Sequence, residues 1–386
     1  MTGGMDMNFK FTEDEQSIIS RMHEFGEQEA GPLAAEIDEQ ERFPEENRKR
    51  LAELGLMGIC YPKEYGGSGH SYPAYIAAIE ELAKYCPTTA VMLSDHHSLG
   101  SFPIFAFGTE EQKQKYLVPL LKGEKLGAFA VTEPSAGSDL GNQQTKAVDM
   151  GDCWLLNGSK IFITNGFYAD TYFVTAMTDK SQRSRGISAF IVEKGTPGFT
   201  FGTKEKKMGI RGSATYELVF RDCRIPKENL LGEPGKGFKM ALATLDGGRI
   251  GVAAQAIGIA QGAIDACKKY VTEHIQGEKR LSQLQFTQFE LADMQTRVDA
   301  ARLLVYRAAQ AKQDHEPFSH LAAMGKLYAA EAATNVTRRC VQLAGYDGCS
   351  RTFPFERLMR DAKITEIYEG TSEVQRMVIS SWMGLK

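Results

Sequence analysis

The stretch WLLNGSKIFITNG, residues 154–166, is the segment most indicative of the fold. Its β-branched and aromatic residues alternate with Asn-Gly turn signals, a pattern that predicts two strands joined by tight turns. Three more short segments of similar composition follow at residues 172–177, 187–193 and 216–220. Short strands between turn signals are typical of a compact all-β unit. We therefore predict a middle antiparallel β domain over residues 126–235.

Helical patterns lie on both sides of this β domain. Thr12 followed by Glu15 predicts a capped helix start, and residues 75–85 carry apolar side chains at helical spacing. After a Gly-rich connection, long Ala-rich helical periods follow at residues 250–270, 286–313, 321–343 and 355–383. The fold class is therefore α+β: an N-terminal helical domain (1–125), the middle β domain, and a C-terminal four-helix bundle (236–386).

The composition excludes several classes of protein. The chain has 386 residues, of which 24% are charged and 42% hydrophobic, as in ordinary soluble globular enzymes. A net charge of −4 argues against a nucleic-acid-binding protein. Residues 250–264 are too few to span a bilayer, and residues 1–11 have no apolar core of a secretion signal. We expect a cytoplasmic protein that binds neither membrane nor nucleic acid.

Cysteine and histidine patterns indicate no metal site and no disulfide framework. Seven widely spaced cysteines without a C-x-x-C pair are typical of free buried thiols in a reducing compartment. His96 and His97 are adjacent, so on a helix they would point about 100° apart and form a poor metal pair. Packing or surface exposure explains them better than metal binding.

Three segments carry residue types suited to chemistry, and each has an ordinary structural alternative. Residues 130–139, AVTEPSAGSD, form a polar loop that offers backbone N–H groups, or merely a turn. Residues 161–166 offer the Phe162 ring for stacking and the Thr164 hydroxyl for a hydrogen bond, or form a core strand. Residues 364–373, ITEIYEGTSE, place Glu369 beside a helix break, as a base or as a solvated side chain.

Together, in this order around a β domain between two helical domains, the segments resemble the acyl-CoA dehydrogenase family. The resemblance covers residues 11–379. Residues 244–251, TLDGGRIG, and 360–364, RDAKI, match its short-chain, butyryl-CoA-dehydrogenase-like branch. The resemblance implies a fold of these three domains, an FAD cofactor, an acyl-CoA substrate, electron-transfer flavoprotein as redox partner, and usually a homotetramer.

The resemblance also implies roles for individual residues. Glu369 matches the catalytic base. Some members place the base at the position of Gly248, which here has no side chain and leaves space for Glu369. Contacts to acyl-CoA are implied for Ser138, Asp246, Arg249 and Gly370. Contacts to FAD are implied for Phe129, Val131, Thr132, Gly137, Ser138, Phe162, Ile163, Thr164, His274, Gln285, Gln342, Gly345, Tyr346, Thr371 and Glu373.

The implied chemistry suits these residue types. A base must remove a weakly acidic proton alpha to a thioester carbonyl, and a free Glu with a pKa of about 4.3 is a weak base. Burial against an acyl chain and the flavin would raise the pKa of Glu369 toward the working pH.

Two segments depart from the family pattern. Where the family reads YxxxRxQFGKP, residues 270–280 read YVTEHIQGEKR, and where it reads QxxGGxG, residues 342–348 read QLAGYDG. His274 thus replaces an Arg that binds the flavin diphosphate, and losing a charged hydrogen bond costs about 1.5–3 kcal/mol. Arg280 would lie about 120° away on a helix. We expect FAD to bind with its ADP half held differently; alternatively, these loops shift register and keep their contacts.

A third departure is SDHHS, residues 94–98, which we expect on a helix near the acyl cavity. The position of Asp95 is commonly apolar in the short-chain branch. A carboxylate there could contact a polar or ring-shaped acyl group or act as a second base; alternatively, it is a hydrogen-bonded cavity or surface residue. A buried Asp needs a partner, which His96 or a ligand would provide.

Three functions remain open from the sequence. The first is an FAD-dependent dehydrogenase that introduces, or in reverse reduces, the α,β double bond of a short- or medium-chain acyl-CoA. The second is a non-redox acyl-CoA lyase, dehydratase or isomerase with weak or no FAD, which His274, Glu278 and Tyr346 motivate. The third is a non-catalytic subunit, against which the presence of Glu369 counts. Acyl chain length, ring character, reaction direction and electron partner stay undetermined.

Overall fold

The N-terminal domain is helical, as predicted. The structure, a computed structural model, describes residues 10–385. Thr12 and Glu15 form the predicted reciprocal cap of the first helix. Three π-helical turns, Gly26–Ala30, His96–Ser101 and Lys113–Leu117, connect successive helices. The helices of this domain are α1 (Glu13–Phe25), α2 (Gly31–Gln40), α3 (Glu45–Glu53), α4 (Tyr72–Tyr85), α5 (Pro87–Asp95), α6 (Phe102–Phe107), α7 (Glu110–Gln112) and α8 (Val118–Leu121).

The middle domain is a mostly antiparallel sheet with strand order β6-β7-β3-β2-β4-β5-β8. The predicted antiparallel β domain is present, but β1 and β2 each pair with β4 in parallel. Strand β3 lies between β2 and β4 in the chain, and β2 and β3 both lie between β1 and β4, so these segments supply the connections that parallel pairing requires. The strands are β1 (Gly127–Ala130), β2 (Lys146–Asp149), β3 (Cys153–Thr164), β4 (Thr171–Met177), β5 (Ile187–Glu193), β6 (Phe199–Lys204), β7 (Thr215–Pro226) and β8 (Leu230–Leu231).

The stretch 154–166 forms one long strand, β3, and not the two strands predicted. Its partner β7 extends well beyond the predicted residues 216–220 and pairs along nearly the whole of β3. The Asn157-Gly158 signal marks a register shift instead of a turn. Gly158 has φ +147°, and an added Cβ would lie 2.6 Å from Thr145 Oγ1, so this irregularity requires glycine.

The C-terminal domain contains three long helices and a broken fourth. The predicted helix over residues 355–383 is interrupted between Lys363 and Ser372, the segment that holds Glu369. A two-stranded hairpin, β9 (Ile275–Gln276) and β10 (Lys279–Arg280), separates the first two helices. The helices are α9 (Gly237–Glu273), α10 (Gln285–Gln313), α11 (Ser319–Ala344), α12 (Tyr346–Cys349), α13 (Phe355–Lys363) and α14 (Ser372–Trp382).

Helix α9 is the centre of the molecule. By length and composition alone it could cross a membrane, but 78% of its most apolar window is buried inside the protein, as in a core helix. It packs against α4 on one side and α11 on the other, so both helical domains share one hydrophobic core. The β domain has its own core, which includes Trp154, Tyr172 and Phe220.

All seven cysteines are free thiols. Five are buried, but the prediction of burial is wrong for Cys60, which is half-buried, and for Cys349, which is exposed. Within residues 10–385, no group of three His, Cys, Asp or Glu side chains could hold a metal ion.

Candidate active site

Glu369 lies in a strained turn between α13 and α14. It adopts φ +51°, and Gly370 adopts φ +93°. Such a conformation is uncommon for a residue with a Cβ, and it persists only where surrounding contacts hold it. The carbonyl of Gly370 accepts two hydrogen bonds, from Lys326 Nζ at 2.6 Å and from Gln375 Nε2 at 2.8 Å. Both donors are buried, so α11 and α14 hold the turn from two sides.

Gly248 on α9 provides the space into which the Glu369 side chain extends. A Cβ at position 248 would overlap Oε2 of Glu369 and would lie 2.7 Å from Leu99 Cδ2. The space predicted from the absence of a side chain at Gly248 is therefore present. Helix α9, the Glu369 turn and the π-helical turn that carries Leu99 meet at this point.

The Glu369 carboxyl is a base near neutral pH. Its Oε2 is buried and has no hydrogen-bond partner within residues 10–385. Burial raises the pKa of Glu369 to about 7, and the charges of Lys326 and Arg249 oppose part of that rise. A base with a pKa near the working pH combines a sufficient ionised fraction with useful basicity.

A bulge at the end of β3 exposes an aromatic ring. Strand β3 shifts register between Lys160 and Ile163, and within this shift Phe162 adopts φ +59°. Its side chain is 58% exposed, whereas Ile163 is buried in the sheet. The Ile161 N–H donates to the Thr132 carbonyl at 2.9 Å, which joins the loop of residues 130–139 to this strand. The structure thus brings two of the three predicted segments together.

A buried ion pair fixes the loop and the strand relative to each other, and the sequence analysis missed it. Lys160 Nζ lies 2.7 Å from Glu133 Oε1, and both side chains are almost fully buried. Lys160 also donates to the Val131 carbonyl at 3.2 Å, and the Glu133 carboxylate accepts from the Gln144 and Thr145 N–H groups. The available signal was a lone Lys in an apolar strand with a Glu in the neighbouring polar loop.

Asp95 lies where the helical and β domains meet, but His96 is not its partner. Nδ1 of His96 accepts from the Gly127 N–H at 3.0 Å, and Nε2 faces the Leu120 carbonyl at 3.1 Å. Burial lowers the pKa of His96 to about 4, so the ring is neutral. The expectation that His96 would satisfy Asp95 is wrong, because the backbone uses both ring nitrogens. The amide of Asn165 contacts Asp95 instead, at 3.4 Å.

The residues expected to contact acyl-CoA lie at different depths. Arg249 is buried and pairs with Asp246 one helical turn earlier at 2.6 Å, while its Nε has no partner in the part of the chain that the structure describes. Burial raises the pKa of Asp246, and Arg249 opposes that rise. Ser138 is exposed on its loop. Asp246, Gly248 and Arg249 lie within one turn of α9, beside Glu369.

The ring-side residues fit FAD. The exposed Phe162 ring offers a flat apolar surface, and the half-buried Thr132 and Thr164 lie on the loop and the strand that meet at Ile161. At the start of α14, Ser372 Oγ and Gln375 Oε1 are buried without hydrogen-bond partners among residues 10–385. The same segment holds Thr371, which caps α14, and Glu373, which is exposed in its first turn. Phe129 lies on β1, and Val131 and Gly137 lie on the loop that follows it.

The residues expected at the ADP half of FAD lie elsewhere on the surface. His274 follows the end of α9, stacks on Tyr270 at 3.6 Å and lies 3.9 Å from Asp347 Oδ2. Tyr346 is 89% exposed. No hydrogen bond or ring contact among the described residues joins this group to Phe162 or Glu369. Exposed residues of the same group are Gln285, Gln342 and Gly345.

The expected helical position of Arg280 is wrong. Helix α9 ends at Glu273, and Arg280 pairs with Ile275 in the β9–β10 hairpin. Gly277 adopts φ +65° at the first position of a two-residue turn, which is where hairpins of this kind require glycine. The chain therefore folds back toward His274, and the Leu281 N–H donates to the His274 carbonyl at 2.9 Å.

Comparisons with known proteins agree with this geometry. Three family domains match in order: the acyl-CoA dehydrogenase N-terminal domain at residues 12–124, the middle domain at 128–223 and the C-terminal domain at 235–384. A relative from Clostridium acetobutylicum, "Acyl-CoA dehydrogenase, short-chain specific", is 54% identical over 374 residues, which cover 97% of this chain and 99% of the relative.

Two solved structures have nearly the same fold. Butyryl-CoA dehydrogenase from Megasphaera elsdenii superposes with a TM-score of 0.96 at 51% identity, covering 98% of this chain and 100% of that one. A chain in the structure described as "Electron transferring flavoprotein of Acidaminococcus fermentans: Towards a mechanism of flavin-based electron bifurcation" has a TM-score of 0.97 at 53% identity, covering 98% and 99%. The chain therefore belongs to the acyl-CoA dehydrogenase family of FAD-dependent oxidoreductases.

Proposed function

We propose that this enzyme introduces the α,β double bond into a short-chain acyl-CoA thioester, with Glu369 as the catalytic base. The observation that carries the proposal is the Glu369 carboxyl: its Oε2 is buried without a partner and extends into the space beside Gly248. The name of the Clostridium relative, which describes it as short-chain specific, supports a short acyl chain in the substrate. No finding favours the non-redox alternative.

The protein contributes proton transfer and positioning. Glu369 removes the proton from the α carbon, and its raised pKa allows it to hold that proton afterwards. Asp246, Arg249, Ser138 and Gly370 would hold the thioester so that the α carbon lies at Oε2. FAD, which Thr132, Phe162 and Thr164 would hold, supplies the hydride acceptor when bound.

We propose electron-transfer flavoprotein as the redox partner and a homotetramer as the assembly. The description of the Acidaminococcus structure supports the partner. Large apolar side chains are exposed on the C-terminal helices, as expected of a surface that other subunits cover: Phe286, Phe289, Leu303, Met377 and Trp382. Light scattering of the purified protein tests the assembly, and a monomer would contradict it.

Seven free cysteines support a cytoplasmic location, which cell fractionation tests.

A visible absorption spectrum tests the function directly. The purified protein should show flavin bands near stoichiometry after incubation with FAD and desalting, and butyryl-CoA should bleach them under anaerobic conditions. The Glu369→Gln variant should keep the bands but fail to bleach them on the same timescale. A folded, colourless protein that cannot retain FAD would overturn the proposal.

A further inference from the structure

Asp95 is a buried carboxyl for which the dehydrogenase reaction described above has no use. It is the last residue of α5, where the helix passes into the π-helical turn His96–Ser101, and it is 5% exposed. π-helical turns inside longer helices often occur at functional sites, because the extra residue changes the direction in which side chains point.

The protein provides Asp95 with little to bind. Among residues 10–385 no Lys, Arg or His forms an ion pair with it within 4.0 Å. Its hydrogen-bond partner is Asn165 Nδ2, at 3.4 Å, and the same amide group lies 3.3 Å from both the Met92 and Gly127 carbonyls. A shared contact of this length satisfies little of a carboxylate's hydrogen-bonding capacity.

The neighbouring histidines are committed to other partners. The backbone binds both nitrogens of His96. His97 stacks on Tyr75 at 3.8 Å, and its Nε2 lies 3.4 Å from the Cys60 N–H. Of the two partners that the sequence allowed for Asp95, His96 or a ligand, His96 is excluded, and the ligand is left beside the long Asn165 contact.

The charge state of Asp95 follows from its surroundings. Burial, and then the charge of Glu369, raise the pKa of Asp95 well above its usual range, and no cation opposes them. The charge of an ionised Asp95 would also help to raise the pKa of the phenol of Tyr368, the residue before the base, after burial and the charge of Glu369. A raised pKa favours the protonated form of the carboxyl, and a protonated carboxyl donates a hydrogen bond.

Asp95 lies close to the base and to the flavin-side strand. Leu99, four residues further on, reaches to 2.7 Å from the point where a Cβ of Gly248 would lie, next to Glu369. Asn165, the partner of Asp95, directly follows Thr164 on the flavin-side strand. Asp95 is thus near the base, whose charge contributes to its raised pKa, and it contacts the residue that follows Thr164.

We propose that Asp95 determines substrate specificity by donating a hydrogen bond to a polar group that the acyl chain carries beyond its β carbon. The inference rests on the proposed function and deepens it. A plain alkyl chain would leave the buried carboxyl with only the long Asn165 contact, whereas a hydroxyl or carbonyl oxygen would add a second hydrogen bond. The preferred substrate class is therefore an acyl-CoA with an oxygen function on its distal part.

The test compares 4-hydroxybutyryl-CoA with butyryl-CoA as substrates of the FAD-loaded enzyme. The measured quantity is the ratio of their kcat/KM values, together with the rate at which each bleaches the flavin bands. The wild type should favour the hydroxylated thioester, and Asp95→Leu should lower the ratio by about 10- to 100-fold. Asp95→Asn should fall between them, because an amide still donates a hydrogen bond.

Ser101→Ala is the matched control, since Ser101 is buried in the same π-helical turn and its Oγ has no partner among residues 10–385. It should leave the ratio unchanged, and thermal unfolding should show that all variants fold. An unchanged ratio in Asp95→Leu would overturn the inference.

Two further outcomes separate the inference from the proposed function. If Asp95→Asn abolished turnover of both thioesters while FAD stayed bound, Asp95 would be a proton-transfer residue and the specificity role would be wrong. If neither thioester bleached the wild-type flavin, the proposed function itself would fail. Bleaching by both thioesters without preference would overturn only the inference.

Discussion

Glu369 and His274 each lie after the end of a helix in the C-terminal domain, α13 and α9 respectively, but their surroundings differ sharply. The Glu369 turn is held by two buried donors, and its carboxyl fills the space beside Gly248. His274 lies beside an exposed hairpin, stacked on Tyr270 and near Asp347. Contacts from several elements therefore hold the base in place, whereas the residues expected at the ADP half of FAD are mostly exposed.

Removing the base should produce the largest effect. Glu369→Gln should lower kcat by about 10²- to 10⁴-fold, because the amide cannot accept the α proton. The flavin spectrum should stay intact, since the change keeps the shape of the side chain. Glu366→Gln is the control, as Glu366 belongs to the same segment but pairs with Lys363. Equal losses in both variants would contradict the assignment.

Filling the space beside the base should come next. Gly248→Ala places a Cβ where the Glu369 carboxyl lies, so the base must move. Displacing a catalytic group by about 1 Å costs on the order of 10²-fold in rate. The value of kcat should therefore fall by a larger factor than the affinity for FAD. Gly325→Ala on α11 is the control, because its Cβ would meet only ordinary contacts of 3.4 Å or more. Full activity of Gly248→Ala would contradict the assignment of this space to the Glu369 carboxyl.

Lys326 should control the pH dependence of the base. Ionised Glu369 is required for proton removal, so activity should rise with pH through about 7. Lys326 lowers the pKa of Glu369, so Lys326→Met should shift this limb to higher pH, by roughly one unit. The groups that also face Glu369, Arg249 and Asp95, stay in place. A pH series of kcat/KM measures the shift.

Lys326→Arg keeps the charge and should leave the limb near its wild-type position. If Lys326→Met lost activity equally at every pH, Lys326 would hold the Gly370 carbonyl without tuning the base.

The smallest effect should come from the exposed half. His274→Arg restores the residue that the family usually has there, and FAD should dissociate more slowly, by up to about tenfold, because a charged donor returns to the diphosphate. The rate of FAD loss during dilution measures this. His315→Arg adds the same charge near a loop at the end of α10 and should have no effect. If His274→Arg did not slow dissociation, His274 would lie away from the diphosphate.

Where a prediction from local sequence is wrong, the cause is a structural partner that lies far away in the chain. The Asn157-Gly158 signal predicted a turn, but β7 pairs across it and converts it into an irregularity of one strand. Long-range pairing overrides local turn preference because each added ladder hydrogen bond outweighs a weak local bias. The Lys160–Glu133 ion pair escaped prediction for the same reason: its two residues are adjacent only in the folded sheet.

The sequence by itself determined the order of the three domains, the helix break at Glu369 and the absence of a side chain at Gly248. These depend on local periodicity, turn residues and motif order, which the chain carries without folding. Packing of the folded chain puts Glu369 Oε2 where a Cβ of Gly248 would lie, gives both His96 nitrogens backbone partners, and leaves Asp95 with Asn165. Distances between remote side chains, and the pKa shifts that follow from their burial, exist only after the helices and the sheet pack together.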